Sequence, residues 1–199
     1  MADDSIGQPT AASESSDSSR QRTRSSMTRR KMLKNLSIGG AGLALAAGTA
    51  TPAAAEEQNR RRQEWQNKML FRKVLEEVFN QHDLSKVDEY YAADYIQHNP
   101  QANPGREGVK EYFGMIFNAF PDWSGTITHM YAEDDRVVAF VTWQGTHQGE
   151  IFGIPATGNY VQYQTADIAR YKDGLVAEHW DVTDGLTFLQ QLGVIPPFE

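Results

Sequence analysis

Apolar residues along the chain follow two spacings, and the change falls near residue 124. From Asn59 to His82, the positions Trp65, Met69, Leu70, Val74, Leu75, Val78 and Phe79 recur three and four apart, the spacing of one helical face. Asp83 and Ser85 offer a cap for a short second helix with Val87, Tyr90 and Tyr91 turned inward. Asn99-Pro100 and Asn103-Pro104-Gly105 interrupt regular structure. A third helix is predicted over Arg106 to Phe120, striped by Val109, Tyr112, Phe113, Ile116, Phe117 and Phe120, and Pro121 stops it. From Ser124 the period is two: Ile127, His129 and Tyr131 alternate with Thr126, Thr128 and Met130. Beyond an Asp134-Asp135 turn, Arg136 to Gln148 reads as a long strand. Val137, Ala139, Val141, Trp143, Gly145 and His147 share one face, with Phe140, Thr142 and Thr146 on the other. Glu150 to Asn159, with Gly153, Pro155 and Gly158, reads as a loop. Tyr160 to Tyr171 and Leu175 to Thr183 are strands joined by Asp173-Gly174, a two-residue hairpin signal. Gly185 to Leu192 closes the chain with a turn or two of helix.

Three helices followed by an antiparallel meander make an α+β layout. A long sheet twists and can curl around a helix. Curling gives a cone with an apolar throat, a natural small-molecule pocket.

Composition narrows the chemistry. The 199 residues are 40% hydrophobic and 23% charged, enough apolar material for a sizeable core, and the formal charge of −7 argues against general nucleic-acid binding. Zero cysteines exclude disulfides, thiolate metal sites and a cysteine nucleophile. His98, His129, His147 and His179 form no HxH or HxxxH pair, so no metal site is expected. The chain also lacks a glycine-rich phosphate loop and a serine nucleophile elbow.

The first quarter differs from the rest. Residues 1–26 are a polar lead expected to be disordered. Residues 27–55 hold Thr28-Arg29-Arg30-Lys31-Met32-Leu33-Lys34, then an uncharged Ala/Gly/Leu-rich stretch ending in Ala53-Ala54-Ala55. This order resembles a twin-arginine signal peptide, with Met32 where the motif prefers Phe. The expectation is export by the twin-arginine machinery to a periplasmic or extracellular location, with anchoring if the signal stays uncleaved. Met27 offers an alternative start. Residues 56–66 are read as a linker and helix start, and 67–195 as the domain.

A run from Gly145-Thr146-His147-Gln148-Gly149-Glu150-Ile151-Phe152-Gly153-Ile154-Pro155-Ala156-Thr157-Gly158 resembles the signature loop of the SnoaL-like polyketide cyclases, in the nuclear-transport-factor-2-like superfamily. Gln97-His98-Asn99-Pro100, Phe120-Pro121-Asp122-Trp123, Asp173-Gly174 through Glu178-His179-Trp180-Asp181, and Gln190-Gln191-Leu192-Gly193 resemble further family motifs in the same order. The resemblance implies a cone-shaped curved sheet packed on three N-terminal helices, a homodimer formed through the open sheet face, and ring closure of a polyketide ester by aldol chemistry without metal or cofactor. It places the acid/base aspartate at Asp181. Many relatives carry Arg where this chain has Phe140, which leaves substrate choice open.

The residues support such chemistry independently. Enolate formation needs a base beside an acidic C–H and a group to stabilise the oxyanion. A carboxylate buried in an aromatic throat is a stronger base than one in water, and Asp181 follows Trp180 on a strand entering an apolar region. Its alternative is a strand-end Asp bonded near Thr183 and Asp184. His98 is expected as a second catalytic group, a donor to a carbonyl or a partner of Asp181; otherwise it bonds local backbone in the Asn-Pro turn. Trp123, Trp143, His147, Phe152, Asp167 and His179 are expected on the substrate pocket. Asp167 is unfavourable in mid-strand, which suggests a pocket carboxylate or a partner for Arg170. Thr165 stands where an aspartate-arginine epoxide hydrolase would carry its arginine. The loop from Glu150 to Asn159 could act as a lid. A secreted small-molecule carrier of the same fold remains the alternative function, and a structural dimerisation domain stands third.

Overall fold

The computed structural model describes residues 51–197. The arginine pair and all of the apolar stretch read as an export signal except its last residues, 51–55, lie outside these residues. Thr51 caps helix α1 (Pro52–Val74), accepting a hydrogen bond from the Ala54 N–H. Thus the helix begins before the expected Asn59, and Ala53-Ala54-Ala55 forms its first turn. A cap, a proline at the first position and an alanine run account for the earlier start. The helix continues as a wider π-type turn over Leu75–Asn80. A short 3-10 turn (Leu84–Lys86), capped by Asp83, leads into α2 (Val87–Tyr90).

Next comes β1 (Tyr91–Gln97), then α3 (Gly105–Ala119), β2 (Ser124–Glu133), β3 (Arg136–Thr146), β4 (Tyr160–Lys172), β5 (Leu175–Thr183) and α4 (Gly185–Gln191). The sheet order is β1-β5-β4-β3-β2. The last four strands form the expected antiparallel meander, whereas β1 pairs with β5 in parallel. This strand interrupts the three helices and is absent from the sequence reading. The fold is α+β, with helices packed on a mostly antiparallel five-stranded sheet.

Two patterns differ from expectation for geometric reasons. Trp65 and Met69, expected inward, are exposed, while Asn67, Val74, Leu75 and Val78 are buried. The buried series 67, 74, 75, 78 keeps one helical face, and 65 and 69 fall on the opposite side. In β2 the register shifts between Ile127 and His129. That bulge reverses the alternation, so Met130 turns toward the core and Tyr131 toward solvent. The inner face of β3 follows its expected pattern: Val137, Ala139, Val141 and Trp143 are buried. The core beneath it collects Phe120, Trp123, Ile151, Val161 and Phe188.

Candidate active site

The Asp173-Gly174 turn has both residues at positive φ, +51° and +75°, as a two-residue hairpin requires. Lys172 faces Leu175 and Tyr171 faces Val176. Continued without interruption, this register would set Asp167 opposite Trp180 and carry Asp181 to the outer face. A bulge prevents it. Ala177 has no cross-strand partner, and from Arg170↔Glu178 onward the register is advanced by one, giving Asp167↔Asp181. Val176 and Ala177 are consecutively buried as a result, and His179 and Asp181 face inward beside Asp167. Two carboxylates directly opposed across a ladder repel each other, so the surrounding donors matter.

Asp181 Oδ2 accepts from Asn99 Nδ2 at 3.1 Å and from Thr183 Oγ1 at 3.0 Å. Its other oxygen, Oδ1, is buried and has no hydrogen-bond partner among the described residues. Asp167 Oδ2 accepts a short hydrogen bond from the Thr165 hydroxyl, which itself accepts from Trp143 Nε1 at 3.0 Å. Asp167 Oδ1 lies 3.1 Å from His179 Nε2, and His179 Nδ1 lies 3.1 Å from Gln97 Oε1. Gln97 and Asn99 come from the end of β1 and the turn after it. The parallel β1–β5 pairing sets Gln97 beside His179.

These residues stand between two lobes of one cavity. Asp181, Asn99, Thr183, Tyr112, Tyr163 and Trp123 line an outer lobe. Phe71, Val74, Val109, Tyr91, Tyr95 and Tyr171 line an inner lobe. Gln97, Phe113, Trp143, Asp167 and His179 border both. Burial pushes the Tyr112 phenol up to about 12 and raises those of Tyr91, Tyr95, Tyr163 and Tyr171 further still. All five are therefore neutral donors at ordinary pH. The Tyr171 hydroxyl is buried without a partner among the described residues.

Five of the eight expected site residues are brought to this cavity: Asp181, Asp167, His179, Trp143 and Trp123 line it, whereas His147 stacks on Phe120 and lines neither lobe. His147 is instead fully buried beneath the loop, where Nδ1 lies 3.0 Å from Thr157 Oγ1 and accepts from the Thr157 N–H at 3.2 Å. It pins the loop rather than forming pocket wall. Phe152 also lies off the lining. It is exposed at φ +51°, in a tight turn closed by the Ile151–Ile154 bridge. The loop's start is held shut against α3, since the Gln148 and Gly149 N–H groups both donate to Ala119 O.

His98 requires the largest correction. It neither reaches Asp181 nor bonds the Asn-Pro turn through its ring. β1 alternates, so Gln97 and Asn99 point inward and His98 outward. There it stacks on Trp180 at 4.3 Å and meets Glu178 at 3.0 Å. Arg170 likewise pairs with Glu178 and Asp135 rather than Asp167. Sequence reasoning missed Gln97, Asn99, Thr165 and the phenols of Tyr91, Tyr95 and Tyr171. The alternation through Tyr91, Tyr95 and Gln97 was the available signal, concealed by assigning Tyr91 to a helix.

An α+β fold with acidic side chains and an imidazole gathered in an aromatic-lined throat places the protein among the nuclear-transport-factor-2-like domains. Residues 69–192 match the SnoaL-like polyketide cyclases, and the chain belongs to that family. It is 28% identical over 130 residues to the aklanonic acid methyl ester cyclase DnrD of Streptomyces peucetius, covering 62% of this chain and 88% of that protein. Among solved structures it resembles TsrD from Streptomyces laurentii, with 32% identity and a TM-score of 0.61 over 65% of this chain and 96% of that one. It also resembles IdmH from Streptomyces antibioticus, with 30% identity and a TM-score of 0.56 over 64% and 99% respectively.

Proposed function

We propose that the domain is a cofactor-free acid/base enzyme of the ester-cyclase type, acting on a small apolar carbonyl compound. One observation carries this reading: Asp181 Oδ1 is a buried acceptor on the cavity wall with no partner among the described residues. Such an atom is costly unless something uses it. With Oδ2 held by Asn99 and Thr183, Oδ1 is the oxygen of this lobe-lining carboxylate that no donor among the described residues uses. It removes a proton from carbon beside a carbonyl. The C–H electron pair becomes the enolate C=C, and the carbonyl pair moves to oxygen. The enolate carbon then attacks a second carbonyl, whose oxygen takes up a proton as the ring closes. Neutral phenols in the inner lobe suit an oxygen that gains negative charge. The similarity to a methyl ester cyclase supports an ester-bearing polyketide as the substrate class.

Two further parts of the reading concern the whole protein. Export by the twin-arginine machinery rests on the Arg29-Arg30 pattern. Association of two copies rests on the outer sheet face, where Phe140, Tyr131, Tyr160 and Val182 are exposed; sedimentation should give twice the chain mass.

The test is a panel of aryl and alkyl β-keto esters followed by chromatography and mass spectrometry across pH. Turnover with a pH-dependent rate is expected. Saturable binding with no turnover across the panel would favour a small-molecule carrier instead, a reading that the apolar inner lobe also suits.

A further inference from the structure

The hydrogen-bond order around His179 determines where its protons are. The Asn99 backbone N–H donates to Gln97 Oε1 at 3.0 Å. A backbone N–H cannot reverse its role, so the Gln97 amide must present oxygen, not NH2, at this point. The same oxygen lies 3.1 Å from His179 Nδ1, and a carbonyl oxygen only accepts. Nδ1 therefore carries a hydrogen. A neutral imidazole with Nδ1–H has a bare Nε2, and Nε2 faces Asp167 Oδ1 at 3.1 Å. Two acceptors at that distance need a proton between them. Either the imidazole is doubly protonated against a carboxylate or a protonated carboxyl donates to a neutral ring. In both cases the pair holds one extra proton and has no net charge.

Thr165 fixes the other side. Its hydroxyl accepts from Trp143 Nε1, leaving its own hydrogen for Asp167 Oδ2. Every hydrogen bond in the chain Trp143–Thr165–Asp167–His179–Gln97–Asn99 thus has a fixed donor except the one between Asp167 and His179, which holds the shared proton. A neutral pair opposite Asp181 also removes the like-charge conflict of the Asp167↔Asp181 register. The other titratable groups lining the two lobes are Asp181 and the phenols of Tyr91, Tyr95, Tyr112, Tyr163 and Tyr171, and those phenols are neutral.

We propose that Asp167 and His179 form a single proton-donating group, held in that state by Gln97 as a positioning residue, and that this pair protonates substrate oxygen while Asp181 works on carbon. The proposal deepens the acid/base reading above and rests on it for the catalytic step alone. The proton balance closes within the site. Asp181 gains one proton from carbon, the pair gives one to the alkoxide, and transfer from Asp181 to its cross-strand neighbour Asp167 restores both.

The first test needs no substrate. In the full-length 15N-labelled protein, the His179 ring is assigned by loss of its signals in His179→Gln, and its two nitrogens are read by long-range 1H–15N correlation. Protonated Nδ1 is expected in the native protein and in Gln97→Glu, where a carboxylate oxygen still accepts. In Gln97→Leu, Nδ1 loses its acceptor, and the ring should turn to the Nε2–H form that donates to Asp167. Bare Nδ1 in the native protein, or an unchanged ring in Gln97→Leu, would overturn the assignment. On an ester that the native protein turns over, Gln97→Leu should lower kcat about tenfold with little change in KM, and Gln97→Glu should recover most of it. Equal kcat in native and Gln97→Leu proteins would show that the pair holds its proton without delivering it. Absence of turnover in the native protein would instead count against the enzymatic reading and leave the ring measurement standing.

Discussion

The β1–β5 edge of the sheet carries a histidine–carboxylate pair on each face. Outside, His98 meets Glu178 at 3.0 Å; inside, His179 meets Asp167 at 3.1 Å. Distance alone does not separate them, but their surroundings do. Glu178 is shared with Arg170, and the two together hold its carboxyl below the ordinary range. The His98 side chain is 36% exposed, so solvent screens this pair. Among the described residues, the inner pair has no competing cation in its network. Each of its outer atoms is committed to a directional partner, and it borders both lobes of a cavity. A short contact becomes a candidate chemical device only when its partners leave it one thing to do.

The sharpest way to break this comparison is to exchange the faces. Inserting one alanine between Ala177 and Glu178 should turn His179 and Asp181 outward and Glu178 and Trp180 inward. Turnover should fall by about three orders of magnitude or more, with a lower melting temperature because Glu178 becomes buried. Deleting Ala177 should be far milder, since removing the bulged residue leaves the later side chains on their present faces. His179→Gln should lower kcat about a hundredfold, while His98→Gln should stay within about twofold; equal losses in steady-state assays would erase the distinction between the faces. Thr165→Val strands Trp143 Nε1 and Asp167 Oδ2 together, and urea unfolding should show a loss of about 2 kcal/mol. The smallest effect belongs to Glu178→Gln. A depressed carboxyl stabilises the fold above its unfolded value and ceases to do so as pH falls through its folded value. The variant's small melting deficit at neutral pH should therefore fade in acid and in high salt.

Much of the frame was legible in sequence because it rests on local periodicity. The third helix, the inner face of β3 and the bounds of β5 all follow from regular spacing and strong turn signals. What escaped was set by single-residue irregularities. The strand β1 is seven residues beside proline turns, and its parallel partner lies some 80 residues away. Missing it meant choosing His98 over Gln97 and Asn99, the wrong parity of the same motif. The bulge at Ala177 leaves only two adjacent apolar residues as a trace, yet it decides that Asp181 faces the cavity. Asp167 was visible as a misfit in mid-strand, but its partner was not. Arg170 lies nearer in sequence, while His179 is brought to it by register.

The central claim is that Asp181 presents a working carboxylate oxygen to a bound carbonyl compound. Hydrogen–deuterium exchange at the α-carbon of 2-tetralone in deuterated water, followed by NMR, reads that step without requiring the natural substrate. The native protein should accelerate exchange in a saturable manner, and Asp181→Asn, with its fold intact by circular dichroism, should lose about a hundredfold or more of that acceleration. Equal exchange rates in the two proteins would contradict the claim.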